Sequence, residues 1–364
     1  MKKILLICIL AMIAVFNLNA EPLVSVPVAT LTHDGVATQF YGANALANAH
    51  AAAVSGDIIT LNGGTFTACD ITKGITLRGA CMLTNTEMSE QGMKSSIIRG
   101  NSEFHIKVPK TETHALTIED CALYAQVYID SVPEITMRRV YHRYYYLNSS
   151  TNSVTTIYMG IRPNVDKFEA IQCSFYQIAT YSSASGASTS TNTSTTFNFT
   201  NSAISFTGYL PAHVTMDHCV VGYWRTPSGI EYDGVFSNCV FTYYSTSYPS
   251  YSQLPMGCTA LNCVAVNSYA FALCTSQNCQ SNVSLSTLYN TTSSVYEYGC
   301  YTSHLTEEAA ATYLGTDGTE VGIYGGLFPY TLMPDNPLVT KCDVANKTTE
   351  DGKLKVEIEV KSVQ

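Results

Sequence analysis

Short apolar stretches alternate with bend signals along most of the chain. Residues 115–118 (ALTI) and 214–216 (VTM) alternate apolar and polar side chains, which is typical of half-buried strands. Each is closely followed by an Asp, Asn, Gln or His, then a Cys or Ser, then another apolar run, as in Asp120-Cys121-Ala122-Leu123. Since Asn and Asp tolerate the left-handed backbone conformation, the pattern predicts two short strands joined by a one-residue bend.

This unit recurs at steps that mostly lie near 20 residues. A period of about 20 residues is typical of a solenoid with one coil per repeat, and short strands joined by tight bends favour a parallel β-helix. The residues that mark each unit would then stack in register as a ladder. The eleven marker positions are Cys81, Ser102, Cys121, Arg139, Cys173, Ser202, Cys219, Cys239, Cys263, Cys279 and Cys300.

Most of the ladder positions are cysteines. Free Cys behaves as a small hydrophobic residue, so we expect a mostly unpaired ladder inside the solenoid. Disulfides between neighbouring coils are the alternative, because the spacing of the coils permits them. The segments 258–263 and 274–279 place two Cys in the same frame and indicate consecutive coils. They do not predict a metal site, because no His is interleaved and the CxxC spacing of a zinc site is absent.

The N-terminus has the pattern of a secretory signal peptide. Lys2 and Lys3 precede an apolar run at residues 4–16, and Ala20 precedes Glu21. The run is too short to span a bilayer, and no later stretch is long enough. We therefore expect residues 1–20 to be a signal peptide, export through the Sec pathway, and a periplasmic, cell-surface or extracellular location.

The remaining residues, 21–364, predict one domain. An Ala-rich amphipathic stretch at residues 45–54 predicts a helix that caps the N-terminal end of the solenoid. Residues 147–166 and 180–196 interrupt the repeat and predict loop insertions. A C-terminal capping region is expected from about residue 315.

Two segments carry a family resemblance. The Ala-rich stretch followed by SGDIITLNGGTF and ITKGITLRGA resembles the opening of secreted proteins of the pectin-lyase-like superfamily. The tail, DGTEVGIYGGLFPYTLMPDNPLVTKCDV, resembles the C-terminus of exported β-helix proteins of gut Bacteroidetes. The resemblance implies an all-β protein, a right-handed parallel β-helix, here of about 10–12 coils with an N-terminal capping helix. It also implies an activity on polysaccharides.

The same resemblance supplies weak catalytic candidates. Residues 214–219 (VTMDHC) are similar to a segment of pectate lyases, and residues 224–227 (WRTP) are similar to another, although Ile230 stands where its second Arg should be. Asp217, His218 and Arg225 are the candidates, and Ca²⁺ is expected only if the protein is a lyase. Otherwise we expect no cofactor and no metal. The bend pattern explains residues 217–219 equally well as one more repeat unit.

Aromatic residues recur three to five positions after the markers. Stacked coils would align them in a stripe on which sugar rings can stack, with cations beside it. The alternative is that these rings pack inside the solenoid. The candidate substrate-binding residues are Tyr144, Tyr176, Tyr223, Trp224, Tyr243 and Tyr244, with Arg143 and Arg225.

Charge narrows the choice of partner. Only 13% of the residues are charged and the net charge is −9, which argues against a nucleic-acid partner. Low charge also suits a ladder, because like charges stacked in register repel. The first hypothesis is an exported protein that binds a polysaccharide or glycoconjugate or takes part in a surface interaction, with no catalysis indicated by the sequence. The alternatives are a polysaccharide lyase or glycoside hydrolase, and a structural or adhesive rod; no oligomeric state follows from the sequence.

Overall fold

The computed structural model describes residues 26–84, 88–89, 93–100, 103–142, 145–148, 153–156, 158–181, 191–226, 228–243, 252–289, 304–334, 338–348 and 352–361. The first strands are β1 (Val28–His33), β2 (Val36–Tyr41), β3 (Ile58–Leu61), β4 (Gly64–Thr67), β5 (Thr76–Arg78), β6 (Ser96–Arg99), β7 (Phe104–Lys107), β8 (Leu116–Tyr124), β9 (Val127–His142), β10 (Tyr145–Asn148), β11 (Ser153–Thr156) and β12 (Met159–Ile161). They are followed by β13 (Val165–Ile171), β14 (Ser174–Thr180), β15 (Thr196–Thr200), β16 (Ala203–Phe206), β17 (His213–Asp217), β18 (Val220–Val221), β19 (Val235–Ser237), β20 (Val240–Phe241), β21 (Thr259–Leu261), β22 (Val264–Ala265), β23 (Thr275–Gln277), β24 (Leu338–Thr348) and β25 (Leu354–Lys361). The helices are α1 (Ala45–Ala52), α2 (Leu285–Tyr289) and α3 (Glu307–Thr312).

The strands form a parallel β-helix, which confirms the predicted fold. On the first face, strands stack in parallel in the order β3, β5, β8, β9, β13, β15, β17, β19, β21 and β23. On the second face the order is β4, β6, β8, β9, β14, β16, β18, β20 and β22. A shorter third face stacks β7, β9, β12 and β14. The long strands β8, β9 and β14 therefore pass from one face to the next.

The predicted one-residue bend lies between the first and second faces. Its residues have φ angles between 46° and 57°, in the left-handed region. Asn and Asp adopt this region more readily than most residues, which explains why they dominate the position. The bend residues are Asp120, Arg139, Gln172, Asn201, His218, Asn238, Asn262 and Asn278.

The ladder follows the bend, with a register that corrects part of the prediction. Arg139 occupies the bend, and Val140 stands in the ladder opposite Cys121. Ser96, next to Ile97, takes the position that the sequence spacing assigns to Cys81, because residues 80–95 are inserted between bend and ladder in that coil. Ser102 and Cys300 lie outside the described residues. The ladder therefore reads Ser96, Cys121, Val140, Cys173, Ser202, Cys219, Cys239, Cys263 and Cys279.

The ten cysteines whose side chains the structure describes are free thiols. The ladder thiols donate weak hydrogen bonds to backbone carbonyls, as Cys239 Sγ does to Ser237 O at 3.0 Å and Cys263 Sγ does to Leu261 O at 3.3 Å. Around them, Phe168 packs against Phe197 and Phe175 in the interior of the coils. The predicted small, inward-facing ladder is thus part of one continuous apolar core.

The N-terminal end is capped as predicted. Helix α1 buries Ala45, Leu46 and Ala49 against the first coil. Strand β1 pairs antiparallel with both β2 and β3, so the parallel stack begins behind an antiparallel hairpin. This end therefore presents no unpaired parallel edge on β3.

The two predicted insertions have different outcomes. Residues 147–166 are only partly a loop: β10 and β11 form an antiparallel hairpin, but β12 belongs to the third face and β13 already begins at Val165. Met159 and Ile161 face the interior and are fully buried, which holds β12 in the stack. Residues 182–190 of the second insertion lie outside the described residues, and β14 and β15 flank it.

The segment 313–330, here called the strap, runs along the side of the solenoid. Bend residues hold it in reverse order of the coils, so the segment does not simply cap the C-terminal end as the sequence predicts. The reason is that a left-handed bend turns its side chain outward, where amides can satisfy the carbonyls of the strap. The contacts are Asn262 Nδ2 to Leu314 O (2.9 Å), Thr316 N to Asn238 Oδ1 (2.8 Å), Asn201 Nδ2 to Gly325 O (2.7 Å) and Gln172 Nε2 to Pro329 O (2.7 Å).

A second, smaller core lies outside the coils. Val240 and Val264 on the outer side of the second face pack with Leu288 of α2, Ala309 of α3 and Val321 of the strap. Strands β24 and β25 form a separate antiparallel pair. Among the described residues, no helix combines the length and apolar character that a membrane span requires.

Candidate functional site

A groove lies on the outer side of the second face. It has a volume of about 320 Å³. Three of its lining residues, Tyr176, Tyr223 and Tyr243, belong to the aromatic set that the sequence predicts for substrate binding. The other lining residues are Phe175, Gln177, Ala203, Ile204, Ser205, Phe206 and Thr207.

The stacking of the coils places the three tyrosines together. Phe175 pairs with Ile204, and Val221 pairs with Phe241, so each tyrosine follows a strand residue on neighbouring coils of one face. Four successive strands, β14, β16, β18 and β20, carry the groove. At about 4.8 Å per coil they span roughly 14 Å along the solenoid axis. Ser205 is small and lies between the aromatic residues, which leaves the depression open.

Tyr223 has two well-defined neighbours. Its ring lies edge to face with Tyr243, with 5.0 Å between the centroids. The guanidinium of Arg225 lies 5.7 Å from the centroid of the Tyr223 ring, and Arg225 Nε donates a hydrogen bond to the Tyr223 hydroxyl. The groove therefore combines half-buried rings with a cation beside them.

Trp224 does not belong to this surface, which corrects the prediction. Its side chain is fully buried, its ring packs 5.2 Å from Phe241, and Nε1 donates to Gln253 O at 3.3 Å. Neighbouring residues in an extended segment point to opposite sides, so Tyr223 and Trp224 cannot both face the groove. Tyr144, Tyr244 and Arg143 lie outside the described residues.

Asp217 and His218 lie at the bend, and His218 contacts the strap. His218 is buried; Nδ1 lies 3.2 Å from Asp217 Oδ2, and Nε2 lies 3.5 Å from Asp317 Oδ2. Ser237 Oγ and Asn238 Nδ2 donate to Asp217 Oδ1 at 2.8 and 2.9 Å.

The electrostatics of this pair fit a structural role. Burial acts to raise the pKa of Asp217, but the hydrogen bonds from His218, Ser237 and Asn238 outweigh it and leave the pKa below its usual value. The carboxyl is therefore a stable anion that links the bend to the bend of the next coil, at Ser237 and Asn238. Arg225, the third catalytic candidate, lies at the groove with Tyr223 instead.

The groove lining contains no carboxylate among its described residues. Glu231 and Asp233 are exposed, and Asp233 pairs with His213 at 3.0 Å. Across the described part of the chain, no three His, Cys, Asp or Glu side chains come together as metal ligands. The groove, as described, offers ring faces, hydroxyls and one nearby guanidinium.

A polar cluster that the sequence pattern does not predict lies on the third face. His105 Nδ1 lies 2.5 Å from Asp130 Oδ2, and Arg162 Nε lies 2.7 Å from Asp130 Oδ1. The His105 ring stacks on Tyr128, whose hydroxyl lies 3.1 Å from that of Tyr158. These residues follow no marker position, and only the pairing of β7, β9 and β12 brings them together.

Comparisons with protein-family models, with curated proteins and with solved structures gave no match.

Proposed function

We propose that the protein is an exported glycan-binding protein that holds a polysaccharide or glycoconjugate in the tyrosine groove. The observation that supports this best is the meeting of Tyr176, Tyr223 and Tyr243 around one depression of about 320 Å³. Sugar rings present apolar C–H faces and hydroxyl edges, and tyrosine offers both a ring face and a hydroxyl. The signal-peptide pattern and the resemblance to pectin-lyase-like proteins are consistent with an exported protein that meets such polymers.

The length of the groove favours a polymer over a single sugar. Its lining residues come from four coils, which together span roughly 14 Å along the solenoid axis. Arg225 beside Tyr223 would favour a glycan that carries carboxylate or sulfate groups. Binding without catalysis is the preferred form of the proposal, because the described lining offers no acid pair for hydrolysis.

The test is a glycan array on the mature chain, residues 21–364, followed by affinity measurements on the best ligand. Tyr176→Ala and Tyr223→Ala should each weaken binding roughly three- to tenfold, the usual worth of an aromatic contact. Tyr41→Ala is the matched control, because Tyr41 is exposed on β2, away from the groove. Equal losses in all three variants would contradict the groove as the binding site.

A second measurement separates binding from catalysis. The wild-type protein is incubated with the bound polysaccharide and with polyuronates, and reducing ends and unsaturated uronates are measured. We expect no product. Product formation would favour a lyase or hydrolase, and the absence of any bound glycan would favour a structural or adhesive rod.

A further inference from the structure

Two pairs of cysteines face each other across the last two coils that the structure describes. Strand β21 pairs with β23 through Thr259–Thr275, Ala260–Ser276 and Leu261–Gln277. The same register places Cys258 opposite Cys274, just before the strands, and Cys263 opposite Cys279, just after the bend. The bridge between Val264 and Gln280 continues this register. Each coil therefore presents a cysteine to its neighbour on both sides of one strand.

The spacing suits disulfide bonds. Neighbouring strands lie about 4.8 Å apart, and disulfides form between residues whose Cα atoms are about 4.4–6.8 Å apart. The Cys263 backbone N–H donates to Cys279 Sγ at 3.4 Å, which places the Cys279 sulfur beside the backbone of Cys263. No large backbone movement is needed to join the in-register sulfur atoms.

Within each pair, one cysteine is partly exposed and the other is buried. Cys274 and Cys279, both on the last coil, are partly exposed, whereas Cys258 and Cys263 are buried beneath them. An exposed thiol can meet an oxidant, and a buried in-register thiol can complete the reaction. Cys219 and Cys239, further inside the same ladder, are both buried and offer no exposed thiol for the first step.

The two cysteine pairs lie where disulfide bonds would stabilise a coil that has an unpaired strand edge. Among the described strands, β23 pairs only with β21, so its other edge is unpaired. Its residues Thr275, Ser276 and Gln277 are all exposed, and the side chain of Leu273 just before it is 54% exposed. A terminal repeat has only one neighbour to stabilise it, so this coil opens more easily than the others.

We propose that Cys258–Cys274 and Cys263–Cys279 are sites of oxidation, and that a disulfide-bearing oxidant converts each pair into a bond that staples the last coil. The thiolate of Cys279 attacks a disulfide RSSR, forms a mixed disulfide and releases RS⁻. The thiolate of Cys263 then attacks Cys279 Sγ and releases the second RS⁻. Two cysteine thiols are oxidised, one RSSR is reduced to two thiols, and the protons pass to the released thiolates. Cys274 and Cys258 react in the same way.

The experiment treats the folded mature chain with glutathione disulfide at about pH 8.5, near the ordinary thiol pKa. The alkaline pH is needed because burial raises the pKa of Cys274 and the hydrogen bond with Cys263 raises the pKa of Cys279. Intact mass should fall by four hydrogens, and peptide mapping should find the two in-register bonds. Glutathione adducts on other cysteines are counted separately in the map.

Variants assign the bonds. Cys279→Ser should keep only the bond between Cys258 and Cys274, and Cys274→Ser should keep only the bond between Cys263 and Cys279. Cys239→Ser is the control and should still form both. Stable glutathione adducts at Cys274 and Cys279 without bonds, or bonds with other partners in the folded protein, would overturn the proposal.

Proteolysis supplies a functional readout. A disulfide that closes a loop of this length stabilises the last coil enough to slow its cleavage roughly a hundredfold in the oxidised protein. Reduction should restore the faster rate. Equal cleavage rates in both forms would contradict the stapling role even if the bonds form. Glycan binding should not change, so failure here is distinguishable from failure of the groove.

Discussion

Arg139 and Asp120 occupy the same bend position in neighbouring coils and form a buried, bidentate ion pair. Arg139 Nε lies 2.6 Å from Asp120 Oδ1, and Nη2 donates to Oδ2 at 3.1 Å. Both side chains are 2% exposed. Arg139 Nη1 also donates to Gln172 Oε1 at 3.2 Å, so three successive bends are linked. An Arg in the left-handed conformation is thus held in place by its charge partner.

We therefore expect Arg139→Met to destabilise the fold by about 3–5 kcal/mol, because it leaves the Asp120 carboxylate buried without a counter-charge. Denaturant unfolding measures the loss. The double variant Arg139→Met with Asp120→Asn removes both charges and should recover more than half of it. If the double variant is as unstable as the single one, the lost stability comes from the packing of the Arg139 side chain and not from the ion pair.

The bends were predictable from the sequence, whereas their partners were not. Asn, Asp, Gln and His at steps near 20 residues indicate the left-handed position, because few residue types tolerate it. The strap contacts join residues 52 to 157 positions apart, and nothing local in the sequence signals them. The groove was predictable in part: the spacing found Tyr176, Tyr223 and Tyr243, but it could not tell that Trp224 faces inward.

The strap gives a second prediction. Asn201 Nδ2 donates to Ile323 O at 2.9 Å and to Gly325 O at 2.7 Å, and Asn201 is buried. Asn201→Gly keeps the left-handed bend but leaves two strap carbonyls without their donor. We expect a loss of about 1–3 kcal/mol and faster proteolysis within residues 313–330.

Asn278→Gly is the matched control for this effect. Asn278 has the same bend conformation, with φ of 54° against 46° for Asn201, but its amide contacts Asn262 at the exposed last coil. It should lose little stability. Comparable losses in the two variants would show that the bend itself, and not its hold on the strap, accounts for the effect.

The burial of His142 leads us to expect that the stability of the fold depends on pH. His142 is fully buried, and burial lowers its pKa from 6.5 to about 4, although a hydrogen bond from Nε2 to Ala125 O acts the other way. Between these values the unfolded chain binds a proton that the folded protein does not. Stability should therefore be complete above about pH 6.5 and fall as the pH drops toward 4. At about 1.4 kcal/mol per pKa unit, the loss is about 3 kcal/mol.

His142→Gln keeps an N–H donor but does not titrate, so its stability should fall less between pH 7 and pH 4. Urea unfolding across this range measures the difference. His213→Gln is the control, because it removes a histidine whose side chain is 41% exposed at the surface instead of buried in the core. Parallel slopes for the wild type and His142→Gln would contradict a neutral, buried His142.

Variants at Trp224 and Tyr223 distinguish a role in core packing from a role in glycan binding. Trp224 is the single tryptophan of the chain, so its fluorescence reports one site. Because the ring is buried against Phe241, the folded protein should show blue-shifted emission that resists quenching by acrylamide, and unfolding should remove both features.

Trp224→Phe should destabilise the protein by about 1–3 kcal/mol, since it reduces packing and leaves Gln253 O without its donor. The folded variant should bind the glycan that the array identifies as tightly as the wild type, whereas Tyr223→Ala should bind it more weakly without a comparable loss of stability. If the Trp224→Phe variant stays stable but loses glycan binding, the indole belongs to the binding surface. That result would contradict the inward placement of Trp224.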